Sequence, residues 1–211
     1  EEDFRQAEKE ATRAITLDEE NPASWETRAY IRVRLGVALL KKGKEGASYL
    51  DAALLDLNRS IELDPTGYSV WTRRAMTYRN LAVQANSIGE DSAPFLRLAV
   101  RDLTESIRLF PGYWTSWSLR AQIRLYLGQI ALRANQDATD LLSGCIEDAT
   151  EALERNGGEF DSLMIRGQAY RLQKEWGKAL SDFSSLVRLA PESRPHVQPF
   201  ITECQRHLKG E

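Results

Sequence analysis

Two histidines, two cysteines and many carboxylates are the side chains here that could do chemistry, and none is spaced for it. Nucleophilic catalysis needs a nucleophile held by a base, commonly histidine. His196 and His207 both lie in the C-terminal segment, where a surface position is expected. Cys145 and Cys204 match no metal or redox spacing. The stretch GKEG at 43–46 is not the G-x4-G-K-[S/T] phosphate loop and reads as a turn. No catalytic residue, metal or cofactor is therefore expected. The arginines are more regular. Arg28, Arg74, Arg120 and Arg166 occur in one motif position, and Asp56, Asp102, Asp148 and Asp182 in another. Their separation is 28 residues in the first three cases and 16 in the last. A planar guanidinium fork suits bidentate bonding to a carboxylate. A ladder of partly buried Arg–carboxylate pairs is expected, with Glu10 in the equivalent place at the start of the chain.

The elements that carry these pairs follow from a repeat. WETRA from Trp25, WTRRA from Trp71 and WSLRA from Trp117 are 46 residues apart, and one more step reaches LMIRG from Leu163. SIELDP (60–65) is in phase with SIRLFP (106–111), and Gly43, Gly89 and Asn135 share one position. Gly and Asn most easily enter the left-handed conformation that ends a helix. Residues 23–42 contain no proline and carry apolar residues at mixed spacings of three and four, as Trp25, Ala29, Val33, Val37 and Leu40. A second run through Leu50, Ala53, Leu57 and Ile61 stops before Pro65, which disfavours helix at Asp64. Each unit is thus two helices with a break between them. The large apolar residue at the motif tryptophan position is expected to pack between the paired helices. Cys145 falls where the repeat wants a small packing residue, which makes it a buried, inert thiol.

Within a unit the order is W-x2-R-A-x2-[Y/R], then A-x3-[L/F]-x2-[A/S], then Pro. This resembles the tetratricopeptide repeat, whose usual length is 34 residues. Leu163, Arg166, Gly167, Tyr170, Ala179, Phe183 and Pro191 of the last unit fit that pattern most cleanly. The first three units carry 12 extra residues where their helices meet, so each helix is expected to gain about six residues, roughly 9 Å. The resemblance implies an all-α fold, a right-handed superhelical solenoid of antiparallel helix pairs in a single domain over 1–211. A half unit (1–21) precedes units at 22–66, 67–112, 113–158 and 159–192, and a capping helix (193–211) follows.

The resemblance further implies that the first helix of each unit lines a concave groove that binds a peptide or protein segment. With the motif tryptophan turned inward, the expected groove residues are Glu26, Tyr30 and Arg34; Thr72, Arg73, Met76, Arg79 and Asn80; Ser118, Gln122 and Tyr126; and Met164, Gln168 and Arg171. Thr27, Val33, Leu119, Leu125, Ile165 and Leu172 complete the set. The Lys/Asn clamp of chaperone-binding members is not reproduced, because Glu26 and Tyr30 stand where its first Lys and Asn would be.

A non-catalytic protein-interaction scaffold is the leading expectation. The alternatives are a regulatory segment of a larger enzyme, similar to arrays attached to bacterial serine/threonine kinases, and an RNA-binding helical repeat. The net charge of −3 and estimated pI of 5.6, with acids and bases intermixed, argue against a nucleic-acid surface. No apolar run is long enough to span a bilayer. The first residue is Glu, so the chain is expected to begin inside a longer protein, with any targeting signal outside it. A cytoplasmic location is favoured.

Overall fold

The computed structural model describes residues 2–155 and 159–210, without the side chain of Glu159. Ten α-helices carry almost all of these residues, and no strand occurs among them. In order they are α1 (Glu2–Leu17), α2 (Pro22–Lys41), α3 (Ala47–Leu63), α4 (Tyr68–Ser87), α5 (Ala93–Leu109), α6 (Trp114–Arg133), α7 (Thr139–Glu154), α8 (Glu159–Leu172), α9 (Trp176–Leu189) and α10 (Arg194–Lys209). A single 3₁₀ turn at Pro191–Ser193 leads into α10. The expected boundary between units at residue 158 lies outside the described residues.

The chain divides into two compact bodies, Glu1–Phe110 and Pro111–Glu211. In the first body α2 pairs with α3 and α4 with α5, and α1 packs on α2. Residue numbers that meet across α2 and α3 run in opposite directions, since Arg28 reaches Asp56 while Arg32 reaches the carbonyl of Ala52. The two helices are therefore antiparallel. α2 and α4 lie side by side and parallel, with Glu26 against Arg73 at one end and Leu40 beside Gln84 in a cleft at the other. In the second body α6 pairs with α7 and α8 with α9, and α10 closes the last hairpin.

Local signals start and stop these helices where the pattern implies. Asn21 caps α2 by accepting from the backbone N–H of Ala23 at 3.0 Å, with Pro22 preset for the first turn. Asp64, before Pro65, is extended and ends α3. The breaks between paired helices turn on Gly43 (φ 68°), Gly89 (φ 79°) and Asn135 (φ 54°). The shorter α8–α9 hairpin turns instead on Lys174 (φ 63°), a residue type that gives no such signal in the sequence.

The 12 extra residues of the long units are not shared equally between helices. α2, α4 and α6 have 20 residues against 14 in α8, a gain of six. α3, α5 and α7 have 17, 17 and 16 against 14 in α9, a gain of only two or three. The rest lengthens the turns. In the first hairpin that turn folds tightly back on α2, and a Cβ on Gly46 would lie 2.2 Å from the carbonyl oxygen of Gly36.

Small residues let the paired helices approach. In the first body Ala29, Ala53, Leu57, Ile61 and Val70 form one buried cluster, with Trp71 and Val33 against it. In the second, Phe183, Leu186, Val197 and Cys204 join α9 and α10 in another. None of the described helices is long and apolar enough to cross a membrane.

Candidate functional site

Each motif arginine is three residues after its tryptophan, or after Leu163 in the last unit, hence on the same helical face. Each is held on that face in one way. The Arg74 Nε and Nη2 donate to Asp102 Oδ2 and Oδ1, both at 2.7 Å. Arg28 makes the same fork with Asp56 at 2.9 and 2.6 Å, and Arg120 with Asp148 at 2.9 and 2.7 Å. Arg166 does so with Asp182 at 2.9 and 2.8 Å, across the shorter hairpin. All four aspartates are buried. Glu10 takes no part in the ladder. It is exposed and accepts from Gln6, one turn back on its own helix.

In Arg28, Arg74 and Arg166 a further guanidinium N–H ties in the preceding second helix. Nη1 of Arg74 donates to Asn58 at 2.8 Å, that of Arg166 to Thr150 at 3.0 Å, and that of Arg28 more weakly to Thr12 at 3.4 Å. Each such arginine therefore joins three helices. A second arginine serves the same carboxylate in two hairpins: Arg32 reaches Asp56 and Arg124 reaches Asp148, both at 2.8 Å.

The tryptophans complete the joint. Trp25, Trp71 and Trp117 donate their indole N–H to the carbonyls of Glu19, Pro65 and Pro111 at 2.9, 3.0 and 2.8 Å. Their ring faces carry Arg28, Arg74 and Arg120 at 5.0, 4.8 and 5.2 Å. The motif is thus a positioning device. Indole anchors to the turn before its helix, guanidinium stacks on indole, and the fork meets the aspartate.

Burial and pairing compete in these groups. Burial opposes the charge on Arg74, but the bonds and charge of Asp102 outweigh it and raise its pKa. In Arg166 the bond to Asp182 leads and raises it likewise. Burial pushes the Asp148 carboxyl above the usual range, against the pull of Arg120 and Arg124. Burial also pushes the Cys145 thiol up to about 12, which keeps it protonated and unreactive at neutral pH. Among the described residues no cluster of three His, Cys, Asp or Glu could hold a metal ion.

A different cluster faces solvent on α2 and α4. Arg73 Nε donates to Glu26 Oε1 at 2.5 Å, and Ser69 reaches the same oxygen at 3.5 Å. Tyr30, 47% exposed, has Arg73 over its ring at 5.2 Å and Arg34 at 6.0 Å. Met76 stands exposed one turn along α4 from Arg73.

No protein-family model matches the sequence, and no curated protein matches it either. Solved structures do. A thermophilic TPR protein of Thermus thermophilus, TTC0263, is 16% identical over 96% of this chain and 90% of its own, with a TM-score of 0.60. The MamA protein is 14% identical over 86% of this chain and 88% of its own, with a TM-score of 0.58. The chain has the tetratricopeptide-repeat fold.

In that repeat's terms the first helices are α2, α4, α6 and α8. Counted from the motif tryptophan or Leu163, the second, fifth, ninth and twelfth residues form the outward stripe on α2 and α4. Thr27, Tyr30 and Arg34 are exposed on α2, with Glu26 half-buried beside them. Arg73 and Met76 are exposed and Asn80 half-exposed on α4. Tyr126 is exposed on α6, with Gln122 half-buried, as are Met164 and Gln168 on α8.

Other expected groove positions turn toward neighbouring helices. Thr72 is buried, its hydroxyl 2.8 Å from that of Ser106 on α5, and Ser118 is buried beside Ser162 of α8. Leu119, Leu125 and Ile165 are buried as well. Arg171 pairs with Glu203 of α10 at 3.1 Å and lies over Phe200 at 5.3 Å. Arg79 is half-buried and engaged in an interaction. In the second body the eighth position after the motif residue faces the next helix, Leu125 packing with Ile165 and Ala169 of α8 and Arg171 meeting α10, because each first helix packs against both its own partner and its neighbour. A single helical wheel does not contain the second contact. Sequence reasoning does not distinguish Arg32, Arg124, Asn58 and Thr150. Their signal is spacing: four residues after a motif arginine, or sixteen before one.

Proposed function

We propose that this chain is a protein-interaction scaffold that captures a segment of a partner protein on the outward stripe of its first helices. One observation carries this: Tyr30 and Met76 remain 47% and 39% exposed, beside Arg34 and Arg73, on helices whose other faces are buried. Tryptophan, tyrosine and arginine side chains dominate binding energy at protein interfaces, and methionine is enriched there. The ladder and tryptophan anchors hold the helices that present them, so little ordering remains to be done on binding. A regulatory segment of a larger enzyme would use the same stripe, with part of its own polypeptide as occupant.

The test is capture by the immobilised chain, followed by cross-linking and peptide mapping, for wild type and for Tyr30→Ala with Met76→Glu. Both positions are exposed, so helicity and melting temperature should stay unchanged. Cross-links from α2 and α4 to a protein partner, lost in the double variant, are expected. Undiminished capture would place binding elsewhere on the molecule, and retention of RNA in place of protein would overturn the proposal.

A further inference from the structure

The outward stripes of α2 and α4 share a pattern absent from the other first helices. The fifth and twelfth residues after the motif tryptophan are Tyr30 and Val37 on α2, and Met76 and Val83 on α4. On α6 the same positions are Gln122 and Gln129, and on α8 the fifth is Gln168. Tyr30, Met76 and Val83 are exposed, the last by 64%, and Val37 is half-buried. Seven residues is close to two helical turns, about 10.5 Å of rise. Two parallel, adjacent helices thus present apolar side chains at heptad spacing, directed along their axes.

A β-strand, whose same-face side chains recur about every 6.6 Å, fits that spacing poorly, whereas the i and i+7 positions of a helix match it. Apolar residues at i, i+3 or i+4, and i+7 on an incoming helix would fall between these four side chains, as in coiled-coil and helix-in-groove packing. The lengthened first helices provide the span: 20 residues is about 30 Å, against about 21 Å for the 14 residues of α8. The Tyr30 ring, flanked by Arg34 and Arg73, is already held in place as an anchor.

Charge supplies the second constraint. Glu26 is taken up by Arg73. On α2, Arg34 and Lys41 follow Tyr30 and Val37 by four residues each, and neither has a carboxylate partner among the described residues. On α4 the corresponding positions are the uncharged Asn80 and Ser87. The occupant therefore meets the positive charge of Arg34 and Lys41 along the α2 flank.

We infer that the α2–α4 face is a docking site for an amphipathic helix of a partner protein, with heptad-spaced apolar residues and Asp or Glu along one flank. The inference rests on the scaffold function proposed above and names the kind of segment captured. The test is display selection on the full chain from two libraries of 21-residue peptides. One is patterned as an amphipathic helix with randomised flanks, and the other is random with two central prolines that forbid a helix. Clones from the helical library, enriched in apolar residues at heptad spacing and in acids on one flank, are expected. Met76→Glu with Val83→Glu should weaken them at least about tenfold, as expected for loss of central anchors. Leu55→Glu, at an exposed position of α3 outside the stripe, should leave them unchanged. Proline-containing clones sensitive to Met76 and Val83 would overturn the helix and keep the scaffold. Clones of either kind insensitive to those residues, or no clones at all, would overturn the site.

Discussion

Replacing Arg74 by leucine removes the middle of a three-helix joint and leaves its shape nearly filled. Asp102 is fully buried and both its oxygens accept from Arg74 at 2.7 Å. Without the guanidinium, that carboxylate stays buried and uncompensated, which costs about 3–5 kcal/mol in comparable pairs. Loss of the Asn58 contact adds less, because Asn58 is only half-buried and can turn to water. Native-state hydrogen exchange of α4 and α5 amides reads the opening free energy where the pair lies. Arg74→Leu should accelerate exchange there on the order of 10²–10⁴-fold, at 1.36 kcal/mol per factor of ten. Arg74→Leu with Asp102→Leu should recover at least half of the loss, since two matched apolar side chains leave no buried charge. Arg59→Ala is the control: Arg59 pairs with Glu20 and Glu62 in the open, and about 1 kcal/mol or less is expected. A loss under about 1 kcal/mol for Arg74→Leu, or strict additivity in the double variant, would refute a structural ladder.

Gly167→Ala should destabilise the α8–α9 hairpin by about 1–3 kcal/mol, because a Cβ there would lie 2.8 Å from the Phe183 ring. Adding Phe183→Leu recreates the Ala–Leu pairing of Ala75 with Leu103, so urea unfolding of the double variant should show less than the summed loss. The Cys145 thiol is raised from 9.0 to about 12 by burial, so between those values the unfolded chain loses a proton that the folded chain keeps. Stability from this group is complete below pH 9 and falls as pH rises toward 12. Chemical denaturation from pH 8 to 10.5 should show a steeper decline for wild type than for Cys145→Ala, and equal slopes would refute the burial of the thiol.

Much of the architecture is legible in the chain because its causes are local. The 46-residue period, the turns at Gly43, Gly89 and Asn135, and the stop at Pro65 depend on backbone preferences of the residues themselves. The Arg–Asp spacing is legible for a related reason. When 12 residues leave the hairpin tip, a pair that meets across it must move from 28 to 16 apart, as Arg166 and Asp182 do. Beyond the hairpin, sequence distance stops reporting spatial distance. Only the packed structure decides that the third N–H of Arg74 goes to Asn58 of the preceding helix, or that Arg171 meets α10. It also decides that Thr72 is buried while Arg73 is exposed. A helix has one periodicity but two neighbours, and the stripe left for a partner is what remains after both have been packed.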